Sequence, residues 1–274
     1  MCRLFAYIAT APHPLTSHFL KTHKSLLQQA NKNPDGWGIV YFAADGTRHF
    51  EKENKNAQES ERFFELARGL NTRLVIAHIR YATVGKMAPE NAHPFIYDKW
   101  AFVHNGTVQQ FHQVRERVME MLPEHLQTTI RGRTDSEVLF AFFLRELERQ
   151  HELHGEHISE KNLVITALRN SITKINSIAL YYGAEGDSRI NILLTDGKDI
   201  WGTRFGKHLH RKRVEGNARF IATEITDKEG GWKAFPENIV FHIAPGADEI
   251  DMRPLLNRKP DFAIPHPSQC AVSS

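Results

Sequence analysis

Apolar and polar positions along this chain change period several times, and each change marks an element. Residues 3–8 are a dense run of aromatic and β-branched types that predicts a first strand, ended by Pro12 and Pro14. Between residues 16 and 30, Phe19, Leu20, His23, Leu26 and Leu27 fall at helical spacing, and Asn33-Pro34-Asp35-Gly36 then turns the chain. A hairpin follows, with strands at 37–42 and 47–52 joined by Asp45-Gly46. Its opening Gly36-Trp37-Gly38 reads either as a packed turn or as a close backbone approach to a ligand with Trp37 as a lid. A helix is expected over 59–70, and residues 73–80 form the clearest buried strand. Arg80, at the end of that apolar run, must either reach solvent or receive a carboxylate, because burying its charge alone is costly.

The second half repeats the alternation. A strand over 99–104 ends at Asn105-Gly106, ordinarily a strong hairpin signal. Residues 111–121 predict a helix stopped by Pro123, and 136–149 the longest apolar helix. Thr134 followed three residues later by Glu137 is a capping box, which puts Asp135 in the first helical position, where the helix N-terminus favours negative charge. His151, His154 and His157 are spaced by three, not by the four of a zinc-protease helix, and fit a solvated connection better than a metal site. A helix over 159–172 and strands at 175–182, 189–195, 199–204 and 219–226 complete the pattern, with Asp196-Gly197 as a turn. Pro245-Gly246 and the Pro-rich end give a domain over residues 2–250 and a loosely ordered tail over 251–274.

Composition narrows the function. With 274 residues, 41% of them hydrophobic and 24% charged, the chain can bury a large core. Its formal charge of +3 carries no long block of one sign, which argues against a nucleic-acid or membrane-surface role and leaves small molecules as the default partners. Cys2 and Cys270 make no disulfide framework, and the cytoplasm is the expected compartment. No apolar run approaches the roughly 18 residues of a membrane helix. Residues 4–11 imitate a short signal-peptide core, but cleavage there would discard Cys2.

Cys2 draws the chemistry together. Removal of Met1 would leave a thiol and a free α-amine on one residue, and that amine, with an ordinary pKa of about 7.7–8.0, is a base for the thiol beside it. Asn105 and Gly106, besides their turn propensity, can supply a side-chain amide and an unobstructed backbone N–H to a developing oxyanion.

Met1-Cys2, His78-Ile79-Arg80-Tyr81-Ala82-Thr83, His104-Asn105-Gly106 and Thr134-Asp135-Ser136-Glu137, in that order, resemble a class II glutamine amidotransferase domain, an N-terminal-nucleophile hydrolase, and most resemble its stand-alone, YafJ-like branch. Phe220-Ile221-Ala222-Thr223-Glu224 and Trp232 carry the resemblance on toward Asp248. It implies an α+β fold, the αββα four-layer sandwich. It also implies that Cys2 attacks the side-chain amide of glutamine, that Asn105 and Gly106 stabilise the oxyanion, that Arg80 holds the α-carboxylate with help from Thr83, and that Asp135 holds the α-ammonium. A γ-glutamyl thioester would release ammonia and then glutamate, with no cofactor or metal. No length is left for an appended synthase, so the ammonia would pass to a separate synthase subunit or be released by plain hydrolysis. Val84 stands where some branches have a histidine, which makes the carboxylate end of the pocket less polar and the choice among γ-glutamyl substrates open. The alternatives are a hydrolase of another γ-glutamyl amide or peptide and a glutamine-sensing binding module, the latter needing no nucleophile.

Overall fold

A computed structural model describes residues 2–81 and 89–256. Among them the strands are β1 (Arg3–Pro14), β2 (Trp37–Phe42), β3 (Arg48–Glu53), β4 (Asn71–Ile79), β5 (Phe95–Tyr97), β6 (Trp100–Thr107), β7 (Arg189–Thr195), β8 (Ile200–Arg204), β9 (His210–Arg213), β10 (Arg219–Ala222), β11 (Trp232–Ala234), β12 (Ile239–Ile243) and β13 (Asp251–Pro254). The α-helices are α1 (Leu26–Ala30), α2 (Glu61–Gly69), α3 (Phe111–Met121), α4 (Glu124–Gln127), α5 (Asp135–His154) and α6 (Glu160–Tyr181). One sheet has seven strands in the order β11-β9-β10-β1-β4-β2-β3, the other six in the order β13-β12-β8-β7-β6-β5. Their ladders are antiparallel.

Strand alternation builds the layers. On β1, Leu4, Ala6 and Ile8 join Leu74, Ile76, Val40, Ala101, Val103 and Leu193 in a core between the two sheets. The intervening Phe5, Tyr7 and Ala9 pack the other way, against Leu26 and Ala30 of α1 and Phe63 and Ala67 of α2. On the far side, Trp100 and Phe102 of β6 face α3, α5 and α6. The order of layers is helix, sheet, sheet, helix, the αββα sandwich expected.

Four predicted elements differ. Strand β1 is not ended by Pro12: it runs on to Pro14, with an irregularity in its pairing to β4 between Ile8 and His13. The helix expected over 16–30 is a single π-helical turn, Ser17–Lys21, and the separate α1, because Ser25 breaks away to accept the Gln28 N–H on its hydroxyl at 3.3 Å. The strand expected over 175–182 is the last two turns of α6: Ile172, Ile175 and Ala179 are buried at spacings of three and four, which a strand cannot put on one face. Asn105-Gly106 is not a turn. Strand β6 runs through it to Thr107, pairing Asn105 with Asn191 and Gly106 with Ile190.

Trp37 is no lid, since it is 1% exposed, packs edge-on against Phe63 and donates from Nε1 to Glu53 at 3.2 Å. Residues 251–254, assigned by sequence to the tail, pair with β12 as β13; residues 257–274 lie outside the described residues. His151 and His154 close α5 and His157 ends the short turn after it, at partly or fully exposed positions. Among the described residues no helix is long and apolar enough to cross a membrane.

Candidate active site

Cys2 stands just before β1 and continues the Leu4, Ala6, Ile8 alternation that faces the opposite sheet. The β1–β4 register pairs Leu4 with His78 and Arg3 with Ile79, so one further step brings Cys2 opposite Arg80. The Tyr81 N–H donates to the Cys2 sulfur and the thiol donates to the Tyr81 carbonyl, both at 3.3 Å. Burial raises the pKa of this thiol, helped by the Asp135 charge, while the Tyr81 N–H and the Arg80 guanidinium favour the thiolate. Near neutral pH the thiol therefore keeps its proton until a base removes it.

Arg80 is 4% exposed. Its backbone is fixed by hydrogen bonds to Gly36 and Asp35, at 2.8 and 3.2 Å, and its Nη1 is buried with no hydrogen-bond partner. Burial excludes the solvent alternative, and among the described residues no carboxylate of the chain pairs with Arg80, so the alternative of a received carboxylate stays open to one from outside the chain. A buried guanidinium with an unbonded N–H is the arrangement that an anion from outside the chain completes.

Asp135 opens α5, as the capping box predicted. Its Oδ2 accepts the Val108 N–H at 3.0 Å and its Oδ1 the Ser136 hydroxyl at 3.4 Å. Ser136 Oγ also lies 2.9 Å from His104 Nδ1, and His104 Nε2 lies 3.4 Å from the Arg189 carbonyl. His104, Ser136 and Asp135 are thus linked in a row from β6 to the start of α5. Thr134 caps that start by accepting the Glu137 N–H at 3.4 Å. The Glu137 carboxylate holds the approach, accepting from Arg131 N–H, Gly132 N–H and the Thr134 hydroxyl at 3.1, 2.9 and 3.1 Å.

Cys2, Arg80, Gly106 and Asp135 line one cavity, with His78, His93, His104 and Ser136 also in its wall. It measures about 40 Å³, room for a water. Because β5 pairs with Trp100–Phe102, no strand among the described residues covers His104–Gly106 on that side, and the cavity abuts this edge of β6. A Cβ at Gly106 would collide with the Arg189 carbonyl and the His104 ring, which is a packing reason for glycine here. Asn105 is buried beside the cavity but is not in its wall. Thr83 and Val84 lie outside the described residues.

Three histidines went without a role in the sequence reading. The His78 and His93 rings lie 4.2 Å apart between centroids with their planes tilted by 37°, and all four of their ring nitrogens are buried without hydrogen-bond partners among the described residues. Burial, then the nearby Arg80 charge, pushes His78 down to about 3. Burial and neighbouring positive groups drive His93 well below its ordinary value, and burial lowers His104 against the pull of Asp135. All three are neutral in the physiological range. His78 was legible, since it continues the inward alternation Leu74, Ile76. His93 was not, because it arrives through packing: a Cβ at Gly38 would overlap the His93 carbonyl. Among the described residues no group of His, Cys, Asp or Glu is placed to hold a metal ion.

Known proteins show the same frame. The family model described as "Glutamine amidotransferases class-II" matches residues 1–229. The chain is 28% identical to a protein of Saccharomyces cerevisiae named probable glutamine amidotransferase DUG3, over 89% of this chain and 82% of that one. It is 26% identical to the gamma-glutamyl-hercynylcysteine sulfoxide hydrolase of Mycolicibacterium smegmatis, over 89% of this chain and 96% of that one. In structure it resembles a glutamine aminotransferase class-II domain protein from Silicibacter pomeroyi, with a TM-score of 0.68 and 20% identity, over 92% of this chain and 99% of that one. With the family model covering most of its length and Cys2, Arg80 and Asp135 around one cavity, the chain belongs to the class II glutamine amidotransferases, a family of enzymes.

Proposed function

We propose that this enzyme hydrolyses the side-chain amide of glutamine through Cys2, releasing ammonia and glutamate. The observation that carries this reading is the buried, unbonded Nη1 of Arg80 in the register position opposite the Cys2 thiol, in a cavity that Asp135 also lines. After removal of Met1, the Cys2 α-amine takes the thiol proton and the sulfur attacks the γ-carbonyl carbon. The tetrahedral oxyanion is met by the Gly106 N–H and the Asn105 amide. The C–N bond then breaks, the amine returns the proton to the leaving nitrogen, and ammonia departs from a γ-glutamyl thioester. Water activated by the same amine cleaves the thioester. Arg80, assisted by Thr83, binds the α-carboxylate and Asp135 the α-ammonium, one charge for each end of the amino acid. The ammonia passes to a synthase subunit on another chain or is simply released.

A second reading keeps this machinery and changes the leaving group to the amine of a larger γ-glutamyl amide or peptide. It is supported by the relative named as a γ-glutamyl hydrolase, which aligns over nearly its whole length. Incubation with glutamine and a panel of γ-glutamyl amides and peptides, following ammonia and glutamate separately, distinguishes the two. Ammonia from glutamine at the highest kcat/KM supports the first, and glutamate without ammonia from a γ-glutamyl peptide supports the second. Turnover of none of them contradicts both, and leaves glutamine sensing without catalysis.

A further inference from the structure

Far from Cys2, one face of the seven-stranded sheet collects positive charge. The registers pair Arg219 with Arg213, and Arg211 with both Ile221 and Lys233, so Arg211, Arg213, Arg219 and Lys233 share a face across β9, β10 and β11. That face is the inner one, because Ile221 belongs to the core between the sheets. Here the opposite wall is the segment with Asp248, Glu249 and Ile250, and the cleft between measures about 450 Å³, a volume that suits a small ligand. Ile8 pairs with Arg219, so the cleft lies six residues along β1 from Cys2, about 20 Å at strand rise.

The cations are unequally engaged. Arg219 is buried and spends both Nη atoms on the carbonyls of Asn217, Ala218, Ala247 and Asp248. Arg213 pairs with Asp248 at 3.0 Å. Among the described residues, neither Arg211 nor Lys233 has an acidic side chain within ion-pair distance, and Arg211 Nε is buried with no partner. Arg211 is braced instead with its guanidinium 5.4 Å from the centre of the Phe235 ring. Burial, and then Arg213 and Arg211, depress the pKa of Arg219, with only Asp248 opposing. Like charges side by side on a sheet destabilise it, and a cluster of this sign is relieved by an anion that several N–H groups can hold together.

We propose that this cleft binds a small multivalent anion of the phosphate-ester or pyrophosphate class, held directly by Arg211 and Lys233 in the field of Arg213 and Arg219. It is a site separate from the glutamine cavity and independent of the reading given to that cavity. The test is thermal unfolding and isothermal titration of the full-length protein with inorganic pyrophosphate, with citrate and sodium chloride at matched ionic strength. Pyrophosphate should bind saturably and raise the melting temperature. The Arg211→Gln/Lys233→Gln variant should bind it at least about tenfold more weakly, the loss of one charge-assisted hydrogen bond, while Lys174→Gln, on the outer helix, should bind it as wild type does. Equal binding by the double variant overturns the site. An equal response to citrate overturns the assignment to phosphate chemistry, and an equal response to sodium chloride reduces it to screening. Absence of saturable pyrophosphate binding also contradicts it.

Discussion

Arg80 and Asp135, of opposite charge, both line the cavity beside Cys2, and the separate roles proposed for them give a crossed prediction. Arg80→Gln should lower kcat/KM for glutamine sharply and lose discrimination against an analogue with an amidated α-carboxylate. Asp135→Asn should do the same for an analogue lacking the α-amine. A buried charge left without its partner costs about 3–5 kcal/mol, more than the pair contributes when both members are removed. Steady-state kinetics on the two analogues check this, and unchanged preference in both variants would return the residues to strand-end and helix-cap duties. Ser136 tests the row behind Asp135, because its hydroxyl bridges His104 and the carboxylate. Ser136→Ala should raise KM by about fivefold, one hydrogen bond's net contribution, with kcat little changed; a fall in kcat at constant KM would place Ser136 in the chemical step instead. That Cys2, Arg80, Gly106 and Asp135 line one cavity was legible only through the family resemblance, because each residue taken alone has an ordinary structural reading as well. His93 was hidden, since its place depends on a contact with Gly38 from a different strand.

At the scale of elements, the strand through Asn105-Gly106 excludes a turn there, and the oxyanion role proposed for the pair is a matter for experiment. Sequence favoured a hairpin there because the dipeptide suits positive φ, yet the ladder to β7 continues and Gly106 is set by its closeness to the Arg189 carbonyl. Gly106→Ala should therefore unfold the edge of β6 or leave the protein insoluble, read as a large loss of melting temperature. Asn105→Ala should keep the fold and lower kcat by about 100- to 1,000-fold if its amide supplies an oxyanion donor. A change in KM alone would make it a packing residue. The long helix after Thr134 was readable because period and cap agree there, and the 111–121 helix because its period stops just before Pro123; the first strand was readable in its apolar run but not in its end, since it continues through Pro12 to Pro14. The end of α6 was not, since Ile172, Ile175, Ile178 and Ala179 are β-branched or small, and only burial on one helical face separates them from a strand.

For the whole molecule, three neutral histidines inside the sandwich set the response to acid. The unfolded chain protonates histidine near pH 6.5, whereas burial holds His78 down at about 3 and lowers His93 and His104. Below about pH 6.5 the unfolded state therefore takes up protons that the folded state refuses, so this stability is full above that value and is lost as the pH falls; His78 alone contributes a loss of about 1.4 kcal/mol per pH unit toward pH 3, and His93 and His104 act in the same direction. Urea unfolding at pH 7 and pH 5 should show a marked loss at pH 5, and equal stability would mean that these rings are already charged or exposed. The sandwich itself was legible only through the family resemblance, because periodicity shows which strands have two buried faces but not which sheet they join. The central claim, that Cys2 is an N-terminal nucleophile, is tested most directly by acid-quenching the enzyme during turnover of glutamine and analysing its N-terminal peptide by mass spectrometry. The expected peptide begins at Cys2 and carries one γ-glutamyl group in a hydroxylamine-labile thioester, absent from Cys2→Ala. An active enzyme that retains Met1, or turnover without any adduct on Cys2 under conditions where deacylation limits the rate, would contradict it.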